Sequence, residues 1–311
     1  MIVVDFGNLM VFQGTIFLLI AIGFLLGKLH LVEESGKQAL NNLLIYVVLP
    51  CNIIHSFIDN EAGLSVISAC FTILLFSLFN QAFSVLIGKK IYPMAKANEL
   101  PVLAYGTLCS NAGFIGMPMA EGIYGAAGLL YASVFLIPQR ISMYSIGMNY
   151  YTRVSGKDVV KKVLTHPCII AVLLGVVYLF FPFEVPALPH KVITTLSNAN
   201  LSLSMVVIGV ILSECDLSHL FTKVNFYYCF IRLIALPTVM MGVCYLFHAE
   251  PIVAGITVVL TGMPAGATTA ILASKYGCDE KVGVSIIFLS TVLSILTIPI
   301  WCLIVSHLFA V

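Results

Sequence analysis

Charged residues are scarce in this sequence. Asp, Glu, Lys and Arg together make up 9% of the 311 residues, whereas hydrophobic residues make up 60%. A soluble globular domain carries roughly a quarter charged residues, so an ordinary soluble protein is excluded. The net charge is only +1, with no polybasic tail or basic patch, so no nucleic-acid partner is expected.

Paired cysteines and cofactor motifs are also missing. The nine cysteines form no CxxC pair, and most lie within apolar runs, so we interpret them as small buried residues. Neither a metal site nor a cofactor is expected. The first residues contain no basic stretch and no small-residue cleavage site, so we expect the first helix to be retained and not removed as a signal peptide.

The apolar residues are grouped in long blocks, which predicts an all-α polytopic membrane protein. Each block has roughly the 17 to 25 residues of a membrane-spanning helix, and none shows the strict alternation of a membrane β-strand. Ten spans are predicted, near residues 9–29, 37–57, 63–88, 101–123, 127–151, 163–182, 190–213, 222–247, 252–274 and 281–307.

The sequence suggests two related halves. The most hydrophilic interior segment, residues 152–162, divides the spans five and five, so residues 1–155 and 156–311 are predicted to be two repeats. Gly-Met-Pro at 116–118 recurs at 262–264, in the corresponding span of the second half. Because five is an odd number, the second repeat must be inverted relative to the first, as in many secondary transporters.

Positive charges in the loops predict the orientation. Twelve Lys and Arg residues lie in the loops on one side of the predicted membrane, and only Lys191 lies on the other. Cytoplasmic loops keep an excess of Lys and Arg, so both termini are predicted to lie outside.

Helix breakers mark the predicted centre. Gly116 and Pro118 in span four, and Gly262 and Pro264 in span nine, are predicted to interrupt their helices at mid-membrane. Non-helical backbone inside a membrane must be buried in protein or must line a water-filled cavity, and its free N–H groups can attract an anion. A simple proline kink is the alternative for either helix alone, but a symmetric pair favours crossed broken helices at a substrate site.

Polar side chains near these breaks are candidate substrate ligands. Ser110 and Asn111 lie beside the first break and Thr261 beside the second, while Asn52 and Asn200 occupy corresponding spans two and seven. The alternative for each is an ordinary hydrogen bond between helices.

Two arginines lie deep in predicted spans. Arg140 and Arg232 are each about 15 Å from the cytoplasmic end of their helix at 1.5 Å per residue. Each either binds substrate or caps the carbonyls of a broken helix, and the structural role is favoured more for Arg232. No Asp or Glu lies at mid-helix, since Glu121 and Asp59 fall near predicted helix ends, so an anionic substrate is favoured over a cation.

The strings SNAGFIGMP, RLIALP and TGMPAGATTAILASKYG resemble segments of the auxin efflux carrier family, in order along nearly the whole chain. The resemblance implies ten helices in two inverted repeats, with helices four and nine crossing at Pro118 and Pro264. It also implies a scaffold of helices 1, 2, 6 and 7 against a mobile bundle, and Asn111 as a substrate contact. The short central loop resembles the bacterial branch, whose substrates include malate and malonate, in the plasma membrane.

The predicted function is therefore transport of a small organic anion, a carboxylate or dicarboxylate, by alternating access and without enzymatic chemistry. Membrane lipid surrounds the protein, and a proton or sodium ion as coupling ion and a homodimer are left open. The alternatives are a sodium-coupled symporter of the bile-acid type, a membrane-embedded hydrolase or transferase, and a transporter-like sensor.

Overall fold

The protein is built of helices. The computed structural model describes residues 6–60, 63–214 and 220–309, and in these residues the only β pairing is an isolated bridge. The α-helices, numbered in chain order, are α1 (Phe6–Lys28), α2 (Glu34–Leu43), α3 (Leu49–Ile58), α4 (Leu64–Gly88), α5 (Leu100–Leu108), α6 (Met117–Ser142), α7 (Met148–Tyr151), α8 (Gly156–Leu164), α9 (Pro167–Phe180), α10 (Ala187–Ser213), α11 (Lys223–Phe230), α12 (Leu236–Leu246), α13 (Pro251–Thr261), α14 (Thr268–Lys275) and α15 (Glu280–Phe309).

Short π-helical segments join several of these helices into longer rods. They are Leu44–Val48, Ala112–Gly116, Met143–Gly147 and Ile231–Ala235. Three of these segments end two residues before a proline, namely Pro50, Pro118 and Pro237. A proline lacks the N–H of the helical ladder and crowds the carbonyl four residues earlier. A wider π turn moves that carbonyl away, so these three prolines are accommodated without ending the rod.

The prediction of a multi-pass membrane protein is confirmed. Within the described residues, seven helical stretches are long and apolar enough to cross a membrane: Leu9–Lys28, Glu34–Ile58, Leu64–Gly88, Ala112–Tyr151, Ala187–Ser213, Lys223–Leu246 and Glu280–Phe309. The pair α8 and α9, bent by 61°, makes an eighth if it counts as one span. Ten complete spans and their inverted relation stay predictions.

The predicted fourth, fifth and ninth spans differ most from simple helices. The spans near 101–123 and 252–274 each contain a non-helical interruption. The boundary predicted between spans four and five, at residues 123–127, contains a non-helical residue, Gly125, where φ is 65° and ψ is −153°, so α6 consists of two helical pieces joined at this kink. A positive φ of this kind favours glycine, which has no Cβ to clash with the backbone.

The helices α1 and α10 pack in backbone contact. A Cβ added at Gly23 would clash with the backbone of Val206, and one added at Gly209 would lie 2.6 Å from the backbone nitrogen of Phe24. Small residues at a helix interface in the membrane allow this close approach. The helix α10 also packs on α3, which in turn packs on α9. These four helices surround one side of the candidate site.

Candidate functional site

Two interrupted helices carry the centre of the site. The first interruption, residues 109–111, separates α5 from the π-helical segment before α6. The second interruption, residues 262–267, separates α13 from α14. Gly262 and Pro264 lie inside the second interruption, where the sequence predicts a break.

The two interruptions pair with each other. The N–H of Asn111 donates to the carbonyl of Pro264 at 2.7 Å, and the N–H of Gly266 donates to the carbonyl of Cys109 at 3.0 Å. The residues between them form an antiparallel bridge. Buried backbone N–H and carbonyl groups need hydrogen-bond partners, and each interruption supplies partners for some of these groups in the other. These two N–H groups, which the sequence left free for an anion, are therefore used to hold the crossing together.

Gly116 and Pro118 lie beyond the first interruption and not in it. Gly116 has helical angles, with φ −69° and ψ −42°, and Pro118 is in the first turn of α6. The helix breaks at residues 109–111 instead, because the π turn before Pro118 accommodates the proline. Gly116 has a packing role: an added Cβ would lie 2.6 Å from Cδ2 of Leu260 and 3.2 Å from Cγ of Met263.

Arg232 joins the two broken helices. Its Nε donates to the carbonyl of Met263 at 2.9 Å, and its Nη1 donates to the carbonyl of Thr107 at 2.8 Å. The side chain is buried, with 2% exposed. The two acceptors belong to the second interruption and to the last turn of α5, so one guanidinium caps backbone from both. This geometry is that of a structural clamp.

Ser110 is held by a residue that the sequence reasoning did not select. The Nε2 of Gln139 donates to the carbonyl of Ser110 at 2.8 Å, and the hydroxyl of Ser110 donates to Oε1 of Gln139 at 2.9 Å. Asn111 is buried, and among the described residues its side chain has no hydrogen-bond partner. The polar pair Gln139-Arg140 inside an apolar span was the signal that could have identified Gln139.

Arg140 has an unsatisfied guanidinium. The residue is 7% exposed, and the one polar contact it makes within the described residues is a 4.0 Å approach of Nη2 to the sulfur of Met117. The Nη1 is buried and has no hydrogen-bond partner among the described residues. No described Asp or Glu forms an ion pair with it. Arg140 and Arg232 therefore differ sharply, although the sequence placed them at similar depth.

Asn52 and Asn200 belong to one buried network. The Nδ2 of Asn52 donates to the hydroxyl of Ser197 at 2.8 Å and approaches Oε2 of Glu121 at 3.4 Å. The Nδ2 of Asn200 donates to Oδ1 of Asn52 at 3.2 Å, while its own Oδ1 is buried without a partner among the described residues. Sequence reasoning placed Glu121 near a helix end and missed its contact with Asn52.

The network and Arg140 lie about one helical turn apart. Met117, which Arg140 approaches, and Glu121, which Asn52 approaches, are four residues apart on α6, a rise of about 6 Å on one face. Thr261 is fully buried, and its hydroxyl has no partner among the described residues, so it makes no hydrogen bond to this group.

A cavity of about 540 Å³ lies among α2, α10, α14 and α15. Its lining includes charged residues, among them Lys275 and Glu280. Lys37 also lines it and forms ion pairs with Glu34 at 2.5 Å and with Glu214 at 2.6 Å. The cavity lies on the side that the loop charges assign to the cytoplasm.

Known proteins resemble the chain over nearly its full length. An uncharacterised transporter of Methanocaldococcus jannaschii is 26% identical over 299 residues, which cover 92% of this chain and 95% of that protein. An uncharacterised transporter of Methanothermobacter thermautotrophicus is 27% identical over 309 residues, which cover 94% and 99% respectively. Both are archaeal and neither name states a substrate, so the expected bacterial malate or malonate branch gains no support.

The model of a family described as membrane transport protein matches residues 14–157 and 149–302. These matches identify a transporter and not an enzyme, and they confirm the resemblance to the auxin efflux carriers. The chain belongs to this membrane transport protein family.

Proposed function

We propose that the protein is a secondary-active permease for a small organic anion, a carboxylate or dicarboxylate, working by alternating access. The observation that carries this proposal is the buried, unpaired Nη1 of Arg140. A buried charge without a partner is costly and marks a functional site in membrane proteins. The planar guanidinium matches a carboxylate with two parallel hydrogen bonds, so a substrate carboxylate supplies the missing partner.

The surroundings of the crossing favour an anion over a sodium ion. The carbonyls of Thr107 and Met263 accept from Arg232, and that of Pro264 accepts from a backbone N–H. Oxygens that a sodium ion would need are therefore already used, partly by a cation. Asn111 remains next to the crossing as a hydrogen-bonding group for a carboxylate or hydroxyl of the substrate. The hydroxyl of Ser110 already donates to Gln139, so Ser110 can only accept from a substrate hydroxyl.

The proposal includes the finer architecture. Ten spans form two inverted repeats, residues 1–155 and 156–311, with both termini outside and helices 1, 2, 6 and 7 as a scaffold. The cavity beside Lys37 would then be the opening to the cytoplasm, in an inward-open conformation. The observed packing of α1, α3, α9 and α10 on one another supports such a scaffold.

Substitution of Arg140 tests the function. Purified protein is screened for stabilisation by a panel of mono- and dicarboxylates, because a ligand of the folded state raises apparent stability. Uptake of the best ligand into proteoliposomes is then compared for wild type, Arg140→Lys and Arg140→Gln. Lys keeps the positive charge but lacks the planar guanidinium that makes two parallel hydrogen bonds. We therefore expect a weaker apparent affinity for the carboxylate with Lys and a further loss of affinity with Gln.

Arg153→Gln is the matched control, because Arg153 is exposed in the central loop. It should transport like wild type. A capping role for Arg140 gives a different result: Arg140→Gln would then lower the melting temperature and yield, while the surviving protein binds the carboxylate normally. Unchanged affinity in Arg140→Gln therefore overturns the proposed role of Arg140.

A further inference from the structure

Glu121 is a partly buried carboxylate with no cation beside it. Its one hydrogen bond joins Oε2 to Nδ2 of Asn52, and it forms no ion pair within the described part of the chain. The charge that acts on it most directly is another carboxylate, that of Asp59. An ionised carboxylate in this setting is poorly stabilised, because it lacks both water and a positive partner.

The network next to Glu121 contains a hydrogen-bond acceptor that is buried and, among the described residues, unpaired. A protonated carboxyl group donates one hydrogen bond and therefore needs an acceptor. The Oδ1 of Asn200 is buried, belongs to a residue that is 1% exposed, and has no partner among the described residues. Its amide already donates to Asn52, the residue that contacts Glu121. The network thus supplies one donor to the carboxyl group and keeps one free acceptor.

Titratable groups connect this region with one surface. Oδ2 of Asp59 lies 3.1 Å from Nε2 of His55 and its Oδ1 lies 3.5 Å from Nε2 of His190, and the two imidazole rings are 6.3 Å apart. The side chain of His190 is 41% exposed. Among the described residues, Asp59 is the charged group that acts on Glu121, and His55 and His190 contact Asp59. Protons from solvent therefore have titratable carriers at the end of α3, next to Asn52.

We propose that Glu121 binds one proton together with the substrate anion, so that the proton and the anion cross the membrane together. The proton comes from solvent and adds to a carboxylate oxygen, and the resulting O–H donates to Oδ1 of Asn200. The inference rests on the proposed function, because it assumes an anion at Arg140. Met117, which Arg140 approaches, and Glu121 are about 6 Å apart along α6. An anion bound at Arg140 and an ionised Glu121 therefore repel each other.

The same contacts disfavour sodium as the coupling ion. A sodium ion needs several oxygen ligands, but Asn52 presents its N–H₂ group to Glu121 and has its oxygen occupied by Asn200. A donor amide repels a metal cation, whereas it is compatible with either form of a carboxyl group.

The test measures binding of the carboxylate panel by thermal shift, from mildly acidic to neutral pH, in sodium and in potassium buffers. If one proton binds with each anion, the affinity of the wild type for the anion falls about tenfold for every unit by which the pH rises, over the pH range in which Glu121 is ionised. The side chain in Glu121→Gln is neutral at every pH, so the affinity of this variant for the carboxylate should be independent of pH. At the highest pH tested, it should be at least about tenfold higher than that of the wild type. Glu184→Gln, at an exposed loop residue, should keep the wild-type slope.

Calorimetry on the wild type covers the case in which Glu121→Gln does not fold. Titration of the carboxylate in two buffers of different ionisation enthalpy counts the protons taken up, and we expect close to one per anion. No proton uptake, a pH slope that persists in Glu121→Gln, or a requirement for sodium each overturns the inference while leaving anion transport intact. If no carboxylate stabilises the wild type at any pH, the proposed function is overturned, and this inference with it.

Discussion

Replacing Arg232 by Lys tests whether one guanidinium holds the two interruptions together. Arg232 donates from Nε to the carbonyl of Met263 and from Nη1 to the carbonyl of Thr107. These two nitrogens are fixed in one plane, whereas Lys offers a single ammonium on a flexible stem. Lys can keep one of the two contacts but cannot span both acceptors in the same geometry.

The expected loss follows from these contacts. A hydrogen bond to a charged group contributes about 1.5–3 kcal/mol, and leaving a buried carbonyl unpaired costs a similar amount. Arg232→Lys should therefore destabilise the protein by about 2 kcal/mol. Arg232→Met removes both contacts and should cost about 3–5 kcal/mol. For a chain of this size, each kcal/mol shifts the melting temperature by roughly 2–4 °C, so Lys should lower it by roughly 4–8 °C.

The assay is thermal unfolding of purified protein in one detergent, with Arg153→Lys as the control. Arg153 is exposed, so its substitution should change stability by less than about 0.5 kcal/mol. The clamp also holds the substrate site in shape, so transport by Arg232→Lys should fall at temperatures where the protein stays folded. If Arg232→Lys has the same melting temperature as Arg153→Lys and transports normally, the role of Arg232 as a clamp is refuted.

Three further predictions concern the packing and the topology. Gly209→Ala places a Cβ against the backbone of α1 and should cost about 1–3 kcal/mol, whereas Gly242→Ala, with nothing within 4 Å, should be neutral or slightly stabilising in the same melting assay. Pro264→Ala should reduce uptake because it lets the second interruption gain helix, while Pro118→Ala should have a smaller effect because that proline already lies in a helix. Equal effects of the two would contradict this difference. A reporter at the C-terminus should be external and one inserted near Gly156 cytoplasmic, and the opposite pattern would exclude the proposed orientation.

Span positions could be predicted from the sequence because apolar length is a local property. The span predicted near 63–88 is the helix Leu64–Gly88, and the one near 190–213 is Ala187–Ser213. The second interruption was also accessible, since Gly262 and Pro264 lie inside it. Charges, prolines and glycines at the ends of apolar blocks were sufficient signals in these cases.

The exact position of the first interruption could not be read from composition. The same Gly-Met-Pro triplet lies in helical backbone at Gly116 and Pro118 but in a non-helical segment at Gly262 and Pro264. The difference depends on whether a π turn precedes the proline and on which residues pair across the crossing. Both are set by tertiary contacts, which a local motif does not contain.

The contact between Glu121 and Asn52 was missed for a similar reason. Counting residues from a predicted span end at 123 placed Glu121 near water. Gly125 does interrupt α6 close to that predicted end, but α3 packs on α6 and brings Asn52 to Glu121. A position near a helix end is thus a poor guide to the environment of a side chain when a neighbouring helix covers that end.

The contrast between the two buried arginines is the strongest argument that Arg140 serves a ligand. Arg232 demonstrates that this fold can satisfy a buried guanidinium, because interrupted helices expose carbonyls that accept from it. Arg140 lies beside the first interruption, next to Gln139 in sequence, yet its Nη1 has no such acceptor among the described residues. An unpaired buried charge costs several kcal/mol, and a neutral apolar residue at the same place would avoid that cost. A group that is expensive for the fold and satisfied by none of its described neighbours requires compensation from outside the chain. A bound carboxylate provides it, because its two oxygens can accept from the guanidinium that the helices leave open.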